Sequence, residues 1–377
     1  MNLRRTWAVA RKEFLHVRRD PRSLAMGIAI PVLLLSLFGW ALTLDVDRVP
    51  LVVWDQSETP ASRALLAGFT GSRYFVLAGR AGSYAELEGA IDRREALAAL
   101  VIPPDFDRLL ATGRSAPVQL ILDGSDANTA QLAANYAEAV VGDFSRAAVL
   151  AQVRRSGRRP LEPPLETRAR VWFNEDLTSR NFIVPGLIAV IMMVIAALLT
   201  SLTVAREWER GNMEQLISTP VKGPELVLGK LTPYFAIGMF DMLVAVLMGV
   251  FVFDVPLRGS LVLLFGMAAV FLAGALSLGM LFSIVTRSQL MASQLAMIMT
   301  FLPAFLLSGL MYAIANMPAP IRLVTYLIPA RYFVFLLKGI YLKGVGLEVL
   351  WIEALLLAGF SVLMVTLAIR KFTKKLA

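Results

Sequence analysis

Long apolar runs separated by short charged stretches make up most of the chain, and one stretch near its start follows a much shorter rhythm. A helix crossing a hydrocarbon core of roughly 30 Å needs about 20 apolar residues. Residues 23–44 are 22 uncharged positions, 181–205 are 25 and 259–286 are 28. Asp241 alone interrupts 231–253, and Glu353 alone, near its start, interrupts 349–369. The 34 uncharged residues 288–321 are too long for one straight crossing, and Pro303, Pro318 and Pro320 divide them. One span over 291–314 with a non-helical exit is expected there. The pattern thus predicts an α-helical polytopic membrane protein with six transmembrane helices.

Ahead of the first span, in residues 1–22, Leu3, Trp7, Ala10, Phe14 and Val17 recur at helical spacing, with Arg5, Lys12 and Arg19 on the opposite face. This predicts an amphipathic interfacial helix in the headgroup plane, its rings in the acyl boundary and its bases on anionic lipid. Those bases either only set topology or also contact a cytoplasmic partner.

Between residues 45 and 180 the pattern changes. Strands are expected at 49–54, 74–77, 98–102 and 118–122, and helices at 61–69, 84–94 and 104–111. A long Ala-rich helix follows at 128–155, then a basic, Pro-rich linker at 158–164 and a last strand at 166–172. Such alternation predicts an α/β domain, a small mixed sheet with helices packed on it, large enough for its own core. Asp55, Asp105, Asp107, Asp123 and Asp126 fall at turns, where Asp caps helices and bonds its own backbone. The domain reads as a docking or gating structure, with a periplasmic adaptor as a candidate partner.

Composition agrees with lipid as the solvent: 57% of the 377 residues are hydrophobic and only 17% charged. With no Cys and only His16, a disulfide, a thiol nucleophile, a Cys/His metal site and a Ser-His-Asp triad are all excluded. The net charge of +9 is unevenly spread: residues 45–180 hold 18 acidic and 16 basic residues, all 16 of them Arg, which leaves net +11 elsewhere. Placing the amino terminus inside puts 16 Lys and Arg on the cytoplasmic flanks and five on the other side, the insert aside. Both termini, including the tail 370–377, are then cytoplasmic and the insert is extracytoplasmic. The charge is a topology signal, and no nucleic-acid partner is expected.

The cytoplasmic loop 206–230 has four acids and four bases, and Met213, Leu216 and Ile217 form one apolar edge of a short helix ending at Pro220. Its run from Glu207 to Pro220 resembles the region after the second span in permease subunits of ABC-2-type ABC transporters, the family of daunorubicin-resistance and bacterial multidrug exporters. Further matches are Phe253-Asp254-Val255-Pro256-Leu257-Arg258-Gly259-Ser260, Leu307-Ser308-Gly309, Asn316-Met317-Pro318, Leu327-Ile328-Pro329-Ala330-Arg331-Tyr332-Phe333 and the run from Lys338 to Gly346. Val53-Trp54-Asp55-Gln56-Ser57 and Ile102-Pro103-Pro104-Asp105-Phe106 resemble the outer domain of one subgroup. Met213 stands where that family pattern has a small polar residue.

The resemblance implies a permease subunit, not itself an enzyme, in the bacterial cytoplasmic (inner) membrane. A second permease copy or paralogue pairs with it, and ABC ATPase subunits drive it. ATP and Mg would sit on those ATPases, with no cofactor on this chain. It implies ATPase coupling for Glu207, Glu209, Arg210, Gly211, Met213, Glu214, Gln215 and Leu216. A phosphate loop needs G-x-x-x-x-G-K-[ST], and the nearest approach, Gly223 to Gly229-Lys230, has one residue too many and is followed by Leu231.

Within the membrane, Asp241 either faces a substrate path or, protonated, bonds to a neighbouring helix. Glu353 snorkels outward or pairs with an external base. Residues 315–348 are expected to form two short re-entrant helices, covered by protein. The resemblance makes Pro329, Arg331 and Tyr332 outer-gate candidates, while Tyr326, Tyr332 and Tyr341 suit an interfacial aromatic belt. The expected cargo is hydrophobic or amphipathic. The rival readings are an ion-gradient-driven exporter, which would usually carry more intramembrane acids, and a membrane scaffold, which would not need six spans.

Overall fold

The computed structural model describes residues 2–42, 48–155, 172–174 and 178–372, and the chain divides into two compact units, 1–43 with 170–377 and 44–169. The larger unit begins with α1 (Leu3–Arg19) and α2 (Pro21–Ala41). Asn2 caps α1 by accepting the Arg4 N–H at 3.0 Å. In α2 Gly27, Pro31, Leu35 and Gly39 are buried, a four-residue repeat that puts one stripe against the bundle. The end of the expected first span, beyond residue 42, lies outside the described residues.

The smaller unit runs β1 (Val49–Asp55), α3 (Pro60–Thr70), β2 (Phe75–Arg80), α4 (Tyr84–Asp92), β3 (Ala98–Ile102), α5 (Phe106–Ala111), β4 (Gln119–Leu122) and α6 (Ala127–Arg155). Strand order is β2-β1-β3-β4, with β1 parallel to β2 and β3, and β4 antiparallel to β3. Alternation along the strands feeds two cores. Leu51, Val53, Leu100 and Ile102 meet Leu65 and Phe69 of α3, Phe106 of α5 and Ala133 and Ala137 of α6. Val52, Ala99 and Val101 meet Leu87 and Ala90 of α4 on the other face. The sheet is therefore mixed and covered on both sides.

Three of the five Asp residues, Asp55, Asp123 and Asp126, cap turns as expected, whereas Asp105 stands at the start of α5 without a side-chain cap bond. Asp55 accepts the N–H groups of Ser57 and Glu58, both at 3.0 Å, and the Ser62 hydroxyl at 2.6 Å. The Asp123 carboxylate takes the Ser125 N–H, and Asp126 the Asn128 N–H and Thr129. These bonds hold both carboxyls below the usual aspartate range. The expected linker and last strand lie outside the described residues except for Trp172.

The larger unit resumes with α7 (Ser179–Ser201), α8 (Thr203–Glu209), α9 (Asn212–Ser218), α10 (Gly223–Phe251), α11 (Leu261–Thr286) and α12 (Gln289–Leu307). It ends with α13 (Ala319–Thr325), α14 (Pro329–Lys338), a π turn (Gly339–Lys343) and α15 (Leu347–Lys371). Among the described residues five helices are long and apolar enough to cross a membrane: α7 with α8, α10, α11, α12 and α15. The described apolar part of α2, Gly27–Ala41, is shorter, and α13 with α14 form a pair bent by 83°. That bend fits a broken span as well as the expected re-entrant pair.

Helix α7 is the hub, packed by α2, α10, α11, α12 and α14, and it is apolar on every side. By contrast α10, α12 and α15 turn Leu247, Leu302 and Leu355 outward, as faces in lipid do. Helix α10 starts at Gly223, eight residues before the expected third span, because Pro224 suits a first turn and Glu225 bonds the Lys222 N–H at 2.9 Å. The phosphate-loop near-miss is thus ordinary helix. Helix α12 stops at Leu307, short of 314, where Gly309 takes a φ of +82°.

Two motif runs quoted above meet in space. The Arg258 N–H donates to the Tyr341 carbonyl at 3.0 Å. A Cβ on Gly259 would come within 2.6 Å of the Ile340 carbonyl oxygen, and Gly344 turns at a φ of +63° beneath Arg258. Tyr341, expected in an interfacial belt, is instead fully buried, and Tyr332 nearly so, because this junction folds them inward.

The tightest crossing is α7 on α11, where a Cβ on Gly279 would lie 2.2 Å from the Ala197 carbonyl oxygen. Neither backbone can retreat, since Thr200 Oγ1 donates across the same crossing to the Leu276 carbonyl at 2.8 Å. Gly279→Ala should cost about 1–3 kcal/mol by overpacking. A fall in the melting temperature of the purified protein checks it, and an unchanged melt would contradict the crossing.

Candidate functional site

The loop that follows the second long apolar helix is built as an elbow. Helix α7 ends at Ser201, and the N–H groups of Val204 and Ala205, left free at the start of α8, both donate to Ser283 Oγ of α11, at 3.0 and 2.9 Å. Seven residues later Gly211, at a φ of +70°, reverses the chain into α9. Met213 is buried at 1% exposure and Leu216 is half-buried, so these two residues of the expected apolar edge pack on the bundle, while the Ile217 side chain lies outside the described residues. Met213 is the inward anchor of α9. Arg5 of α1 closes the elbow by donating to the Pro220 carbonyl at 2.7 Å.

Behind the elbow lies a buried ion cluster. Lys230, on the third turn of α10 and 2% exposed, reaches Glu13 of α1 at 3.2 Å and Glu207 of α8 at 2.9 Å. Lys12 reaches Glu207 at 3.4 Å, and the Tyr234 hydroxyl donates to Glu13 at 3.3 Å. Two carboxylates are matched by two ammonium groups, and three elements are tied at one point. Close approach of α1 to α10 makes this possible: a Cβ on Gly229 would meet the Thr6 carbonyl oxygen at 2.9 Å. Glu225 adds a second tie, accepting the Asn2 N–H at 2.6 Å.

A second set links the elbow to α12. Glu209 accepts the Gln289 N–H at 2.7 Å and also its side-chain amide. Arg206 approaches Gln289 at 3.4 Å and His16 at 3.2 Å, and the Arg287 guanidinium sits 4.5 Å over the Trp208 ring. The coupling candidates therefore separate. Glu207 and Met213 face inward and Glu209 faces α12, whereas Arg210, Gly211 and Gln215 are exposed. The Glu214 side chain lies outside the described residues.

Helix α1 differs from its sequence reading. Val9, Ala10, Glu13 and Val17 pack against the bundle, while Leu3, Trp7 and Phe14 stay exposed. Ala10 and Val17 thus leave the expected lipid face, drawn round by Glu13. Neither Glu13 nor Lys230 stood out as a site residue in the sequence. The available signal was an acid four residues from Val9 and Val17 on one stripe, and a base directly after a helical glycine.

Asp241 is 2% exposed, with Oδ2 unpartnered among the described residues. It faces Ile28, Pro31 and Leu35 of α2 across a cavity of about 10 Å³, room for one water. At the far end of α12, Pro329 starts α14, and Arg331 bonds Thr325 Oγ1 and stacks 3.9 Å over Tyr326. The Tyr332 hydroxyl donates to the Tyr326 carbonyl at 2.7 Å. The three outer-gate candidates lock the 83° bend.

Helices of this length around a central apolar helix, with a structured elbow at one end and a bent pair at the other, define a multi-pass membrane permease. The profile described as ABC-2 family transporter protein matches residues 21–370, and the chain belongs to that family. It is 38% identical to the probable multidrug ABC transporter permease YbhS of Escherichia coli K12, over all of this chain and 98% of that protein. With the probable multidrug ABC transporter permease YbhR of the same organism it shares 32% identity over 92% of each chain. Identity to the inner membrane transport permease YhhJ of E. coli K12 is 27%, over 88% of this chain and 86% of that one.

Lys230→Met would leave the buried Glu13 without its counter-charge and Glu207 with Lys12 alone, at a cost of about 3–5 kcal/mol. Glu13→Gln in the Lys230→Met background should recover part of the loss. Melting of the purified single and double variants checks this; a Lys230→Met protein as stable as the wild type contradicts the cluster.

Proposed function

We propose that this chain is the membrane subunit of an ABC exporter, moving a hydrophobic or amphipathic compound outward with ATP hydrolysed by separate subunits. The relatives named multidrug permeases, and the family match over most of the chain, support the export reading. The observation that carries the coupling is the elbow: α8 and α9 are fixed from inside by Glu207 and Met213, while Arg210, Gly211 and Gln215 face out. A rigid, bundle-anchored helix pair with an exposed polar face is what a cytoplasmic motor needs to push on.

In this reading α2 completes six spans, both termini are cytoplasmic, and the 45–180 insert is outside. The 16 bases flanking the elbow side support that orientation. A second copy or a paralogue completes the pathway, and the bent α13–α14 pair closes its outer end. The location is the cytoplasmic (inner) membrane of a bacterium. ATP and Mg stay on the partner.

Arg210→Glu with Gln215→Glu should lower ATP-driven transport in vesicles at least about tenfold while shifting stability by no more than about 0.5 kcal/mol, as surface changes do. Transport that follows a proton gradient and ignores ATP would overturn the reading.

A further inference from the structure

A cavity of about 460 Å³ lies between the end of α12, the bent pair and α15. Helix α12 is 19 residues long, so at 1.5 Å per residue this cavity stands about 28 Å from the Glu209–Gln289 contact. That is close to the thickness of a hydrocarbon core. The cavity is therefore at the level of the opposite headgroups.

Its polar groups are arranged for an anion. Lys338 donates one N–H to the Gly309 carbonyl at 2.9 Å, leaving two, and has no carboxylate partner among the described residues. Arg331 spends one N–H on Thr325 and stacks on Tyr326, also without a carboxylate partner. Ser308, 2% exposed, lines the same space, with its Oγ buried and unpartnered among the described residues. Glu353 lines the cavity half-buried and forms no ion pair with either base. The site then carries +2 from Arg331 and Lys338 against −1 from Glu353, and a single monoanion would neutralise it. Phe335, Ile352 and Leu356 continue from the cavity to the exposed apolar surface.

We propose that this cavity binds an amphiphile bearing one acidic head group, a phosphodiester or carboxylate. Lys338 and Arg331 hold the anion, and the apolar tail leaves along Phe335, Ile352 and Leu356. Two half-buried cations face one half-buried carboxylate, and the acid supplies the missing counter-charge. The source is either a bilayer lipid or the exported compound. The chemistry rests on the geometry; only the second source rests on the permease reading.

The test uses the full chain with its partner subunits in nanodiscs of phosphatidylcholine with added phosphatidylglycerol, counting retained lipid by native mass spectrometry. Wild type should retain phosphatidylglycerol about tenfold over phosphatidylcholine, and Lys338→Met should lose about tenfold of that preference, the worth of one charged hydrogen bond. Lys338→Met also loses its bond to Gly309, so Glu353→Gln, expected to strengthen the preference, tests the site without that contact. A damaged fold cannot strengthen a head-group preference. Displacement of the lipid by a transported compound assigns the site to cargo, and lost lipid with unchanged transport assigns it to the bilayer; both support the proposal. Equal retention of the two lipids by wild type overturns it. Absent ATP-driven transport with the preference intact would overturn only the permease reading.

Discussion

A lysine two turns inside an apolar helix is tolerable only if its charge is answered, and that constraint organises one end of this molecule. Lys230 has to meet Glu13 and Glu207, so α1 has to lie along α10 and α8 has to turn back toward both. Removing a partner leaves an uncompensated buried charge, which is why such clusters hold geometry even where they add little net stability. Three segments far apart in sequence, α1, α8 and α10, are thereby tied at one point.

Small residues have the same organising effect. At the other end Gly259 and Gly344 let the α10–α11 connection lie on the π turn, and beside the elbow Gly279 lets α11 lie on α7. Lipid offers no hydrophobic drive for helices to associate, so close backbone approach and interhelical bonds such as Thr200 to Leu276 have to supply it. The central helix α7 is gripped along its length and connects the elbow to the region of Lys338, which lies over Phe182 at its start.

The long apolar helices and the alternating insert were legible in the sequence because their periods differ: runs of about 20 for the membrane, short alternation for a covered sheet. The edges of the helices were less so. Charge-free counting starts α10 after Lys230, whereas a paired lysine can sit inside the helix. The segment expected to couple was picked out by resemblance alone, but which of its residues face out depends on the Gly211 turn and on Glu207 finding Lys230. Glu13 was hidden for the same reason: an acid on an amphipathic stripe looks like an imperfection until its partner, 217 residues away, is in view. Tyr341 was assigned to the interface from composition, and packing against the Arg258 turn buried it.

The central claim is that the elbow presents a polar outer face to a motor while its inner face is locked to the bundle. The chain contains no cysteine, so single cysteines report directly. With Gln215→Cys on the exposed face and Met213→Cys on the buried one, cross-linking to a co-expressed ABC ATPase should occur at 215, change with ATP, and be absent at 213. Cross-links at 213 in the assembled complex, or none at 215, would contradict the account.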